Sequence, residues 1–203
     1  MRTRLSPLQR RIDILDQAGK LIAGKGLAKT EMEDIRQACG LSRGGLYHHF
    51  ANKRAVLEAL VEAEVSELVK ELNSKDGSPI PVLLQAGSRH LGASSDLISG
   101  LKTLQEKLDY LSSLEIALVA YLSEPLRARL TQYVRPGIDP AHVAELFLTI
   151  NARINRRELL GEWTDTEAAA FAATSLVALA TLLRDPAELD PMIASLRKKA
   201  GRQ

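Results

Sequence analysis

A chain of 203 residues, 45% hydrophobic and 26% charged, can bury a full core without disulfides or metals. Its one cysteine, Cys39, excludes an internal disulfide and a cysteine-based zinc site, and charged residues at Arg10, Arg11, Asp13 and Asp16 sit where a signal peptide needs an apolar core. With no apolar run of membrane-spanning length either, a soluble protein of the cytoplasm is expected. The net charge of +2 hides an asymmetry: residues 1–54 carry 11 Lys and Arg against 5 Asp and Glu, whereas the rest carries 16 against 20. A basic excess confined to one end points to a polyanionic partner, because neutralised phosphates release counterions.

Apolar residues recur at helical spacing along the whole chain and no segment alternates as a strand would, so the expected fold is all-α. Leu8, Ile12, Leu15 and Ile22 mark the apolar face of a first helix that runs out at Gly24 and Gly26. Thr30, followed three residues later by Glu33, has the form of a capping box for a second helix whose buried stripe is Met32, Ile35 and Cys39. Gly40 ends that helix, and Ser42 is a suitable N-cap for a short third one over residues 43–50. From Asn52 a long helix runs to about Leu72, and the turn residues and prolines of 73–81 form the strongest break in the chain.

Beyond that break the helices are rich in Ala and Leu, interrupted at residues 92–95, at Pro125, at 135–137 and at Gly161. Asp139, Asp185 and Asp190 each precede a proline, as N-caps do. The helix near 166–184 is apolar nearly all round, and its neighbour near 139–160 carries Val143, Phe147, Ile150 and Ile154 on one face. A helix apolar on every side needs cover on more than one side, which suggests that these two helices pair with a second copy to make a homodimer.

A helix, a four-residue turn containing glycine and a second short helix make a helix-turn-helix pattern. On the second helix Leu46 and Phe50 share one face, while Gly44, Tyr47 and His48 share the opposite one. Gly44 and Gly45 each weaken a helix by roughly 0.8–1 kcal/mol relative to alanine, a cost that makes sense where the backbone must come close to a groove wall. Tyr47 and His48 can then reach base edges or sugar-phosphate. Adjacent histidines diverge by about 100° on a helix, so no metal site is expected from His48 and His49. Lys53 and Arg54 after Asn52, and Arg43 after Ser42, place cations at helix N-termini, where the dipole disfavours them unless a phosphate sits there too.

The run from residue 8 to about 60, with Gly40 in the turn, Leu46-Tyr47, His49-Phe50 and Lys53, resembles the tetracycline-repressor-like (TetR) family of bacterial transcription regulators. His48 stands where that family often has a second aromatic, and Ile22 where phenylalanine is frequent. The resemblance implies a helix-turn-helix DNA-binding domain over 1–54 and a helical ligand-binding and dimerisation domain over 55–203. It also implies a homodimer on a palindromic double-stranded DNA operator, released by a small-molecule effector, and no cofactor. Thr30, Ser42, Gly44, Tyr47, His48, His49 and Lys53 match positions that touch DNA in such proteins; Arg43 and Gly45 join them from the surface argument. Aromatic and polar candidates for effector binding are Tyr110, Tyr121, Phe147, His90, Asn151 and Arg153. An enzyme is not expected, since no phosphate-binding glycine loop, HExxH or nucleophile elbow is present. The competing reading is a helical dimer that works through protein or ligand contacts without binding DNA.

Overall fold

In a computed structural model, described over residues 6–90 and 96–201, the chain is helical; among those residues the strand-like pairing is one isolated bridge between Val134 and Leu183. It packs as two compact units, Met1–Glu64 with Ser94–Leu114, and Val65–Ala93 with Glu115–Gln203. The division expected at 54/55 therefore falls inside a helix: α4 spans Lys53–Ser74, and its early residues Val56 and Ala59 are buried in the first unit's core with Ile14, Ile35 and Phe50. The break at 73–81 separates α4 from α5 (Pro79–His90) within the second unit.

In the first unit, α1 (Pro7–Lys25) starts at Ser6, whose hydroxyl accepts the Gln9 N–H at 3.2 Å while the Gln9 side chain accepts the Ser6 N–H at 3.0 Å. Its buried stripe is Ile14, Ala18 and Ile22 rather than the face led by Leu8 and Ile12, which are 69% and 59% exposed. Centred on Ala18, that stripe leaves Ile12 about 120° off axis at 100° per residue and brings Arg11 within about 20° of the core line. Arg11 accordingly lies over the Phe50 ring, 4.4 Å from its centroid. Helices α2 (Met32–Cys39) and α3 (Arg43–His49) follow; α6 (Asp96–Ser99) packs on α1, and α7 (Leu104–Ala117) starts in this unit.

In the second unit, Arg129 of α8 (Ser123–Leu130) closes the end of α4: its guanidinium donates to the carbonyls of Leu72 at 2.5 Å, Lys75 at 2.9 Å and Gly77 at 2.8 Å. A π-helical turn, Leu118–Leu122, precedes α8, because Pro125 has no N–H to return to the carbonyl of Tyr121 and the helix widens. Then come α9 (Pro140–Leu159), α10 (Asp165–Ala180) and α11 (Asp190–Ala200), with α10 packed on both neighbours. Asp139 caps α9, its carboxylate accepting the Ala141 N–H at 2.8 Å, and Asp185 does the same for Ala187 at 3.0 Å. Asp190 lies inside α11 and caps nothing. The two arginines flanking the isolated bridge reinforce it, Arg135 Nε donating to Leu183 O and Arg184 Nε to Val134 O, each at 2.8 Å.

Candidate nucleic-acid interface

The helix-turn-helix forms because each of its turns has a local device. Gly40 adopts φ 61° and ψ 37°, the left-handed conformation that ends α2, and lets the Leu41 N–H reach the Arg36 carbonyl at 3.0 Å. Arg36 then donates through Nη1 to the Leu41 carbonyl at 2.7 Å and grips Glu33 with Nε and Nη2 at 2.8 and 2.6 Å. Hydrogen bonds from Arg36 and Gln37 bring the Glu33 carboxyl down to about 2, so this strut stays ionised across the working pH range. Ser42 caps α3, its hydroxyl accepting the Gly45 N–H at 3.1 Å. Leu46 and Phe50, fully buried, fix the rotation of α3 as the sequence pattern requires.

The opposite side of α3 is open. Arg43, Gly44, Tyr47 and His48 are exposed, Tyr47 at 43%, and the Arg43 guanidinium lies 5.8 Å from the Tyr47 ring centroid. A Cβ on Gly44 would meet no atom within 4 Å, so nothing in the chain itself requires glycine there. Gly45 differs: a Cβ would sit 3.1 Å from Ser42 Oγ, so its small size serves the cap. His49 is half-buried at the end of α3, where Arg11 Nη1 donates to its carbonyl at 3.4 Å. Burial, with the nearby charges of His48, Arg11 and Arg10, holds the His49 imidazole below its ordinary pKa.

Two expected contacts take a different form. Thr30 is completely buried and its hydroxyl donates to the Gly26 carbonyl at 2.8 Å, so it neither caps α2 nor presents its side chain outward. The cap function passes to Asp34, whose carboxylate accepts the Glu31 N–H at 2.7 Å and pairs with Lys25 at 2.5 Å. Lys53 follows Asn52, the N-cap of α4, whose side chain accepts the Ala55 N–H at 2.9 Å. Its ammonium is already engaged, donating to the carbonyls of Leu27 at 3.0 Å and Ala28 at 3.1 Å, with Glu31 at 4.0 Å. With two of three donors held, Lys53 is oriented rather than loose. Arg54 pairs with Glu58 at 2.9 Å.

Of the residues expected to line an effector site, Tyr110 belongs to the first unit and Tyr121, Phe147, Asn151 and Arg153 to the second. Tyr110 is buried in the first, its hydroxyl donating to Glu64 at 3.2 Å, and burial beside that carboxylate pushes its pKa far up. Tyr121 is 46% exposed within the π-helical turn, and Arg153 lies exposed with its guanidinium 5.9 Å from the Trp163 ring centroid. Phe147 is buried one turn before Asn151, whose side chain donates to the Phe147 carbonyl at 2.8 Å. The His90 side chain lies outside the described residues. Residues that matter and carried no local signal are Arg11 and Glu106, each of which acts on backbone far away in sequence, the carbonyl of His49 and the N–H of Ala28.

A family model described as bacterial regulatory proteins, tetR family, matches residues 14–60. The HTH-type transcriptional repressor KstR2 of Rhodococcus jostii is 37% identical over 59 residues, and the HTH-type transcriptional regulator AcrR of Shigella flexneri is 33% identical over 86. The aligned stretch spans 29% of this chain and 29% of the first relative, and 40% of each for the second. The solved structure of the fatty acid degradation regulator FadR from Bacillus halodurans superposes with a TM-score of 0.58, covering 87% of this chain and 97% of that one at 18% identity. Likeness of fold thus extends over most of the chain, whereas likeness of sequence is concentrated around the helix-turn-helix.

Proposed function

We propose that the chain is a DNA-binding transcriptional regulator of the tetR type, a reading supported by the match of residues 14–60 to that family of bacterial regulatory proteins. It acts as a repressor that binds a palindromic operator as a homodimer and lets go when a small-molecule effector is bound. The observation that carries this reading is the outer face of α3, where Arg43, Gly44, Tyr47 and His48 are exposed together on a helix whose rotation Leu46 and Phe50 fix. Tyr47 and His48 read base edges, while Arg43, Ser42 and Lys53 meet phosphates.

The dimer is supported by an uncharged exposed stripe on α10, formed by Ala170, Phe171, Thr174, Val177, Ala178 and Thr181, with Leu146 exposed on α9. The effector site belongs to the second unit, with Phe147 and Asn151 of α9 as its candidate lining. The effector must favour one dimer geometry over the other, since equal affinity for both would shift nothing. No helix among the described residues is long and apolar enough to cross a membrane, and the cytoplasm is the proposed compartment.

The test is selection of duplexes of about 30 bp, roughly three helical turns, from a random pool by the purified full chain. Enrichment of a palindrome, bound with a log–log salt slope of about −0.9 per phosphate contact, is expected. Recovery of unenriched duplexes, bound with no salt dependence, would overturn the reading.

A further inference from the structure

Glu106 is the most deeply buried carboxylate among the described residues, 7% exposed, and no part of the interface above uses it. It sits in the first turn of α7 and works in two directions. One oxygen, Oε2, accepts the N–H groups of Lys102 at 2.8 Å and Thr103 at 2.7 Å and the Thr103 hydroxyl at 3.0 Å, which caps the start of its own helix. The other, Oε1, accepts the N–H of Ala28, 78 residues away in the turn between α1 and α2. Burial raises the carboxyl's pKa, but the donors of Thr103, Lys102 and Ala28 outweigh it, and the group is held below its ordinary value.

The Ala28 turn is the one that holds Lys53. Its two carbonyls, of Leu27 and Ala28, take two of the three ammonium donors, leaving the third directed elsewhere. The turn is seated by a second, independent contact: the Leu27 N–H donates to the Gly100 carbonyl at 3.0 Å, and a Cβ on Gly100 would collide with the carbonyl oxygen of Ile22. The amides of the turn are thus fixed from residues 100–106 and its carbonyls hold Lys53. We propose that Glu106 is a positioning residue for DNA: by holding the Ala28 N–H it fixes the turn whose carbonyls aim the Lys53 ammonium at a phosphate. This rests on the DNA-binding reading above.

Glu106→Gln separates the two roles. Its one remaining carbonyl oxygen can keep the Lys102 and Thr103 bonds, while its amide N–H₂ meets the Ala28 N–H as donor against donor. Thr103→Val does the reverse, removing a hydroxyl from the cap and leaving the Ala28 bond. Binding of the duplex selected by the wild-type chain is measured against salt for all three proteins, with exchange of the Ala28 amide followed in parallel. Glu106→Gln is expected to exchange faster at Ala28 and to lose about 0.9 from the salt slope, which at 0.1 M salt is roughly eightfold in affinity. Thr103→Val is expected to keep the wild-type slope and affinity.

A Glu106→Gln slope equal to that of wild type, or an equal loss in both variants, overturns the proposal while leaving the DNA-binding reading intact. A wild-type chain that binds no duplex overturns that reading first, and the proposal falls with it. Should Glu106→Gln fail to fold, Glu106→Asp, whose carboxylate falls one methylene short of Ala28, takes the same measurement with the same expected loss.

Discussion

Gly44 offers a perturbation in which stability and function are expected to move in opposite directions. An added Cβ meets no atom of the chain within 4 Å, and the residue has no positive φ. Gly44→Ala therefore introduces no clash and restricts the unfolded chain, which stabilises the fold by about 0.4–1 kcal/mol. For a cooperatively melting chain of this length that is a rise in Tm of about 1–4 °C. If a groove wall approaches this backbone, the same methyl group stands between protein and DNA. Overpacking of that kind costs roughly 1–3 kcal/mol, so affinity for the selected duplex falls about fivefold or more. Gly45→Ala is the internal comparison: its Cβ would press on Ser42 Oγ at 3.1 Å, so the entropic gain is offset and Tm stays level or drops. The assay is a melting curve beside a fluorescence anisotropy titration for each variant. A Gly44→Ala protein that is more stable and binds DNA as well as wild type refutes close approach at α3.

Other consequences are as direct. Ser42→Ala leaves the Gly45 N–H without its acceptor and should destabilise the chain by about 1 kcal/mol in urea unfolding. Because the folded His49 pKa lies below its ordinary value of 6.5, below that pH the unfolded chain takes up a proton that the folded chain resists. Stability should therefore decline as pH falls from about 7 to 5, and His49→Gln should flatten that decline in Tm; an unchanged slope would contradict the assignment. Val177→Asp puts a charge in the middle of the exposed α10 stripe and should yield monomers in sedimentation velocity while leaving the helical circular dichroism unchanged.

What could be read from the sequence follows the range of the interactions involved. The turn at Cys39-Gly40-Leu41-Ser42 was legible because a left-handed glycine and a capping serine act on their immediate neighbours, and Leu46 and Phe50 one turn apart fix the face of α3. The Asp139 and Asp185 caps were legible for the same reason. The face of α1 was not, because Arg11 enters the core line by stacking on Phe50 while Leu8 and Ile12 stay exposed. Thr30 obeys a local capping pattern in sequence, yet the Gly26 carbonyl captures its hydroxyl and Asp34 takes over α2. Glu106 meets Ala28 across 78 residues, a pairing that no periodicity encodes. Among the expected effector residues, Tyr110 gives its hydroxyl to Glu64, and Phe147 and Asn151 are joined by a hydrogen bond along α9, neither of which periodicity encodes.

The central claim, that α3 lies against DNA by its Gly44, Tyr47 and His48 face, is tested most directly by amide hydrogen exchange with and without the selected duplex. Added protection confined to residues 42–49 and the turn at 27–31, with α11 unchanged, is the predicted result. Protection elsewhere in the chain with α3 unaffected would contradict the account.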